Sequence, residues 1–130
     1  MRLDRGTVVL LDLGPSIGPT IGHEQRGVRP CIVVSDPEVV ADQRFPVLCV
    51  VPVTGTPGDG ALYPPLGPGH SGLTKTAYAL IDHLRSVDKR RVRRVFGQLA
   101  PDELGAVDDG LVLFLGFGDR LDPELTPRVQ

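Results

Sequence analysis

The chain has 130 residues, 41% of them hydrophobic, and a formal net charge of −2. This length favours a single domain, and it allows a core that needs neither disulfides nor a metal. The weakly acidic balance excludes a protein that binds nucleic acid through an overall positive field, so any such contact needs a local patch of charge. The 16 glycines and 13 prolines imply many turns, which favours a β-rich small barrel over a helix bundle.

Short apolar runs rich in valine, leucine and isoleucine predict the strands of this barrel. They are expected over residues 5–13, 28–35, 45–53, 76–82 and 91–99. The third run is almost wholly apolar, which predicts a central strand that is buried on both faces. In the fourth run, the two-residue period of a strand places Tyr78, Leu80 and Asp82 on one side of the sheet.

Two helical segments are expected among these strands. Residues 38–43 are a candidate short helical turn, and a longer helix begins at Pro101 and ends at Gly116. Apolar side chains recur at helical spacing within it, at Leu104, Val107, Leu111 and Leu115. Residues 57–72 are rich in proline and glycine, which predicts a flexible surface loop without regular structure.

Cys31 and Cys49 lie in apolar runs and lack the spacing of metal ligands, so we expect both to be buried, reduced core residues. The sequence shows no secretory leader and no apolar run long enough to span a membrane. These features predict a cytoplasmic protein with no membrane partner. The folded domain is expected over residues 1–118, followed by a flexible tail over residues 119–130.

The most polar loop precedes the second predicted strand, in the sequence GHEQRGVRP over residues 22–30. Its glycines allow sharp turns, and Pro30 favours an extended conformation at Arg29. Loops of this kind hold reactive side chains against a rigid floor. If the second and third strands are antiparallel neighbours, Arg29 lies at the same end of the sheet as Thr54.

A guanidinium and a hydroxyl are unusual metal ligands but suit a phosphodiester. Arg29 can bind two phosphate oxygens, and Thr54 can add a hydrogen bond. The imidazole of His23 titrates near neutral pH and is a candidate for proton transfer, and Asp82 is a candidate for orienting one of these groups. Such a set predicts RNA cleavage without a metal or cofactor, because the 2′-OH of RNA attacks its own phosphate.

Each of these residues also has a purely structural interpretation. Arg29 is a common kind of surface or ion-pair residue, a loop histidine such as His23 is often merely solvated, and the threonine fits a turn. Asp82 is a candidate ion-pair partner of Arg85. The basic run KRRVRR over residues 89–94 is most simply a solvated strand face.

Four segments of the chain together resemble the MazF/PemK (Kid) family of toxins. They are RGTVVLLDLGPSIGPTIGHEQRGVRPCIVVS, VLCVVPVTGT, YALIDHLRSVDKRRV and GQLAPDELGAVDDGLVLFLGF. They span residues 5–117 in the family's order, and the motif GHEQRGVRP is specific. The resemblance implies a mainly β (α+β) fold, a small SH3-like barrel of the MazF/CcdB type with a C-terminal helix.

The resemblance further implies the toxin of a type II toxin–antitoxin system. Such toxins are mRNA interferases, metal-independent endoribonucleases that cleave single-stranded RNA at specific sequences and leave a 2′,3′-cyclic phosphate and a 5′-OH. They act as homodimers and have an antitoxin protein as a partner. By position, Arg29 and Thr54 match catalytic residues, and His23 is expected to join them from the loop that closes over RNA. RNA contacts are expected at Glu24, Gln25, Arg26, Asp82 and Arg85.

Two positions depart from the PemK pattern. Leu80 stands where PemK-like members have an arginine two residues before the aspartate. The PemK version of the mechanism, in which an arginine on the fourth strand acts as the acid, is therefore not expected. His83 stands where glutamine is frequent, and the sequence shows no partner for it. Two alternatives stay open: a CcdB-like toxin that binds a protein target such as DNA gyrase through the end of its C-terminal helix, and a barrel that only binds nucleic acid or antitoxin.

Overall fold

The computed structural model describes residues 3–14 and 27–120, so the predictions for His23, Glu24, Gln25 and Arg26, and for most of the tail, lie outside the described residues. Within these residues, seven strands and two helices follow one another along the chain. They are β1 (Thr7–Asp12), β2 (Val28–Val33), α1 (Pro37–Ala41), β3 (Val47–Thr54), β4 (Pro65–Leu66), β5 (Ala77–Ala79), β6 (Arg85–Asp88), β7 (Val92–Gln98) and α2 (Pro101–Leu115). Short 3₁₀ turns cover Ile81–His83, Lys89–Arg91 and Gly118–Arg120.

The strands form one curled antiparallel sheet in the order β4-β5-β3-β2-β1-β7, with β6 also paired to β3. β3 is central because it has three partners: β2, β6 along its first half, and β5 at its last two residues. The predicted fold, mainly β with a C-terminal helix, is confirmed. The fourth predicted strand is shorter than expected, because the chain turns at Ile81–His83 before β6 begins.

Alternating side chains of the sheet fill two separate apolar clusters. Odd residues of β2 and even residues of β3 face the first cluster, with Cys31, Val33 and Val50 fully buried. The opposite face carries Ile32 and Val51 against helix α2. This two-sided burial accounts for the continuous apolar runs in the sequence.

The two cysteine thiols are unpaired, as predicted, but only Cys31 is fully buried. Burial raises the pKa of the Cys31 thiol to about 12, so the thiol is protonated at neutral pH. The expectation that Cys49 is equally buried was wrong. Cys49 lies where β3 pairs with β6, opposite Ser86, and is partly exposed.

Helix α2 begins and ends where the sequence predicted. Glu103 Oε1 accepts a hydrogen bond from the N–H of Ala100, the residue that precedes the helix, at 3.0 Å. Gly116 ends the helix in the left-handed conformation, with φ of 73°. The Arg5 guanidinium forms two hydrogen bonds to Asp108 and so ties the helix to the start of β1.

The proline- and glycine-rich segment over residues 55–76, which we call the β3–β5 segment, is not the unstructured loop that its composition predicted. It contains β4, and Leu66 and Ser71 within it are buried. Glu103 Oε2 accepts a hydrogen bond from the Gly67 N–H at 2.6 Å, and the His70 carbonyl accepts one from the Gln98 N–H at 2.9 Å. These contacts with distant residues hold the segment against the barrel.

No helix in the described part of the chain is long and apolar enough to cross a membrane.

Candidate active site

The pairing of β2 with β3 brings Arg29 to the same end of the sheet as Thr54. Arg29 is the second residue of β2, lies opposite Leu11 of β1 and is exposed. On the other side of β2, Cys31 lies opposite Pro52. Continuing this antiparallel pairing by two residues places Arg29 opposite Thr54, and directly opposite residues point to the same face.

Thr54 is the last residue of β3 and is half-buried between two neighbouring strands. It lies opposite Tyr78 of β5, which extends the row Arg29, Thr54, Tyr78 across the sheet. The Thr54 hydroxyl accepts a hydrogen bond from the Thr56 N–H at 3.2 Å, so the backbone after the strand orients it. The row lies on the face of the sheet that carries Cys31 in the core.

Two open cavities flank Thr54. The larger, of about 370 Å³, is lined by residues from the β3–β5 segment, β5 and the turn that follows, including Thr54, Tyr63, Tyr78, Asp82 and His83. The smaller, of about 180 Å³, has Pro30, Thr54, Thr74, Lys75 and Thr76 among its lining residues. Thr54 therefore forms the wall that the two cavities share.

Asp82 lies in the larger cavity at the centre of a polar cluster. Its Oδ2 accepts a hydrogen bond from the Tyr63 hydroxyl at 2.7 Å, and its Oδ1 lies 3.7 Å from Nε2 of His83. The hydrogen bond to Asp82, and after it burial, raise the pKa of the Tyr63 phenol, so this hydroxyl stays a donor at neutral pH. A residue of the β3–β5 segment thus fixes the position of the Asp82 carboxylate.

Arg85 begins β6 opposite Val50 and is half-buried. Its positive charge lowers the pKa of the Cys31 thiol against the larger effect of burial. Val50 faces the same apolar cluster as Cys31, so the register directs Arg85 to that face as well. Arg29 precedes that cysteine by two residues and shares its face. The described part of this face therefore carries two guanidinium groups, that of Arg29 within the row and that of Arg85 on β6.

Most of the basic run over residues 89–94 is engaged with nearby groups. Arg90 pairs with Asp88, Arg93 with Asp12, and the Arg94 guanidinium lies 4.6 Å from the centre of the Phe96 ring. The interpretation of this run as a solvated face agrees with its exposed arginines. Within residues 3–14 and 27–120, no three His, Cys, Asp or Glu side chains cluster as metal ligands.

The structure therefore brings Thr54 and Asp82 to one cavity. The register of β2 against β3, extended by two residues beyond its last pair, puts Arg29 at the same end of the sheet as Thr54. Sequence reasoning missed Tyr63 and His83. The fourth predicted strand put Tyr78 and Asp82 on one side of the sheet, and both line the cavity, although Asp82 lies in the turn after β5 and not in the strand. No signal pointed to Tyr63, because its contact with Asp82 depends on the folding of a segment that composition predicts to be irregular.

The fold and this row define a small, mainly β protein with an open polar cleft at the end of its central strand. Residues 4–115 match the model of the family described as PemK-like, MazF-like toxin of type II toxin-antitoxin system. The chain belongs to this family of toxins.

Solved structures agree with this assignment. The chain is 30% identical to MazF from Deinococcus radiodurans, with a TM-score of 0.68, and the match covers 89% of this chain and 98% of that one. A MazE–MazF structure from the same organism is 30% identical, with a TM-score of 0.66 and coverage of 89% and 97%. A mycobacterial endoribonuclease in complex with its cognate antitoxin shares the fold at 22% identity, with a TM-score of 0.71 and coverage of 88% and 95%.

Proposed function

We propose that this toxin is an endoribonuclease that cleaves single-stranded RNA, mRNA in particular, without a metal or cofactor. The single observation that carries the proposal is the antiparallel pairing of β2 with β3, which runs to Cys31 opposite Pro52 and which, continued by two residues, brings Arg29 and Thr54 to one end of the sheet. A guanidinium and a hydroxyl so placed can both bind one phosphate group. The family membership and the solved structures named as endoribonucleases support the same activity.

The reaction that fits this pair is an internal transesterification. The 2′-oxygen forms a bond to phosphorus, the bond from phosphorus to the 5′-oxygen breaks, and the products carry a 2′,3′-cyclic phosphate and a 5′-OH. Arg29 stabilises the extra negative charge of the five-coordinate phosphorus, and Thr54 holds one of its oxygens. The proton leaves the 2′-OH and another reaches the 5′-oxygen, and we assign a part in these transfers to His23.

RNA binding in this proposal uses the polar loop and the larger cavity. Asp82 offers acceptor atoms in the cavity, and Arg85 adds positive charge on the face of the row. The loop residues expected to contact RNA are Glu24, Gln25 and Arg26.

We further propose that the toxin works as a homodimer that a cognate antitoxin inhibits. The MazE–MazF structures support an antitoxin as the partner. The end of helix α2 and the edge strand β7 expose several large apolar side chains that a second copy can cover: Val95, Leu113, Phe114 and Phe117. The unpaired thiols fit a reducing compartment such as the cytoplasm.

Incubation of the purified protein with mixed-sequence single-stranded RNA in EDTA tests the activity. We expect cleavage at a restricted set of sequences, cyclic-phosphate ends on the products, and no cleavage of DNA of the same sequence, which lacks the 2′-OH. Intact RNA at high concentrations of folded protein would contradict the proposal. Binding of that RNA without cleavage would then indicate a protein that only binds nucleic acid. No interaction with RNA would favour the alternative of a toxin that binds a protein target.

A further inference from the structure

A side-chain hydrogen bond connects the β3–β5 segment to Asp82 in the larger cavity. The Tyr63 hydroxyl donates it to Asp82 Oδ2 at 2.7 Å, across 19 residues of sequence. Both side chains line the cavity beside Thr54. The bond fixes one oxygen of the carboxylate and leaves Oδ1 as an acceptor for a group that enters the cavity.

The backbone around Tyr63 is held independently of its hydroxyl. The Ala79 N–H donates to the Pro64 carbonyl at 3.0 Å, and the Ile81 N–H donates to the Leu62 carbonyl at 3.1 Å. These bonds lie on both sides of Tyr63 in sequence. Loss of the hydroxyl alone therefore leaves the segment in place and changes only what Asp82 contacts.

His83 is the competing partner of the carboxylate. Its Nε2 lies 3.7 Å from Asp82 Oδ1, too far for a hydrogen bond. Both residues line the cavity, and a carboxylate released from Tyr63 can rotate toward this imidazole, so that Oδ1 pairs with His83 instead of with a group that enters the cavity. The Tyr63 hydroxyl prevents this rotation by donating to Oδ2, and the same hydrogen bond raises the pKa of the phenol and so favours its protonated form.

We propose that Tyr63 is a positioning residue of the RNA-binding site, whose hydroxyl holds Asp82 so that Oδ1 faces the bound RNA. This inference rests on the proposed function, and it adds to the RNA-binding site a residue from the β3–β5 segment. Tyr63 acts through Asp82, so its effect on RNA binding requires the carboxylate.

A double-mutant cycle between Tyr63→Phe and Asp82→Ala tests this dependence. Two readouts serve: the kinetics of RNA cleavage, and the affinity for a mixed-sequence RNA whose 2′-O-methyl groups prevent cleavage. We expect Tyr63→Phe to raise KM and to weaken binding about tenfold, the effect of one hydrogen bond to a charged group, with kcat within about twofold of wild type. In the Asp82→Ala background, Tyr63→Phe should have no further effect.

Two results would overturn the positioning role. One is wild-type affinity in Tyr63→Phe, and the other is a loss that persists in full when Asp82 is already alanine. Thermal unfolding of each variant separates a loss of fold from a loss of binding. If the wild-type protein binds the 2′-O-methyl RNA but cleaves no RNA, the nuclease proposal fails, while the comparison of affinities still decides the role of Tyr63.

Discussion

Glu103 connects the helix start to the β3–β5 segment, and its replacement by alanine tests whether that segment is a fixed part of the fold. One carboxylate oxygen accepts from the Gly67 N–H at 2.6 Å and the other from the Ala100 N–H at 3.0 Å. Hydrogen bonds to a charged group contribute roughly 1.5–3 kcal/mol each. Both N–H groups belong to half-buried residues, where water can partly replace the lost partner, so the lower end applies. We expect Glu103→Ala to lower the free energy of unfolding by about 2–4 kcal/mol.

Asp102 is the matched control, because it is exposed in the first turn of the same helix. Asp102→Ala removes only a favourable interaction with the helix dipole, about 0.3–1 kcal/mol. Urea unfolding of the two variants and the wild type, followed by circular dichroism, measures the difference. Equal losses in Glu103→Ala and Asp102→Ala would refute the view that Glu103 holds the β3–β5 segment to the barrel.

Two further predictions concern the helix glycines and a surface ion pair. Gly105→Ala should stabilise the protein by about 0.5–1 kcal/mol, because the added Cβ meets open space. Gly110→Ala should destabilise it by about 1–3 kcal/mol, because the added Cβ would lie 2.8 Å from the Ala61 carbonyl oxygen. Thermal unfolding compares the two variants, and equal effects would contradict the close packing at Gly110. The hydrogen bond from Arg90 lowers the pKa of Asp88 to about 2, so the stability that Asp88 contributes is complete above its ordinary pKa of about 4 and is lost as pH falls through 2. Urea unfolding should therefore show wild type more stable than Asp88→Asn at about pH 6 and equal to it near pH 2; a difference independent of pH would exclude this ion pair as its cause.

The strands and the longer helix were predictable because their signals are local. Runs such as Val47–Thr54 owe their apolar character to burial on both faces of the sheet, and Gly116 ends α2 by a conformation that glycine adopts readily. Two-residue alternation correctly directs Tyr78 away from the side of its buried neighbours Ala77 and Ala79, but it does not account for Asp82, which lies in the turn after β5.

The order of the β3–β5 segment was not predictable from its composition. Proline and glycine indicate turns, but the partners that fix this segment, Glu103 and Gln98, lie about thirty residues away in sequence. Those contacts exist only once the barrel has closed. For the same reason no partner of His83 could be predicted from the sequence, and the polar cluster around Asp82 is visible only in the fold.

The central claim is that Arg29 and Thr54 act on one phosphate, and a double-mutant cycle on RNA cleavage measures this most directly. We expect Arg29→Ala and Thr54→Val each to lower kcat/KM by about 10² or more, and the double variant to be little worse than the more damaged single one, because groups that stabilise one transition state together are not additive. Thermal unfolding should change little in any of the three. Cleavage that survives Arg29→Ala, losses that multiply in the double variant, or unfolding caused by Arg29→Ala would contradict the account.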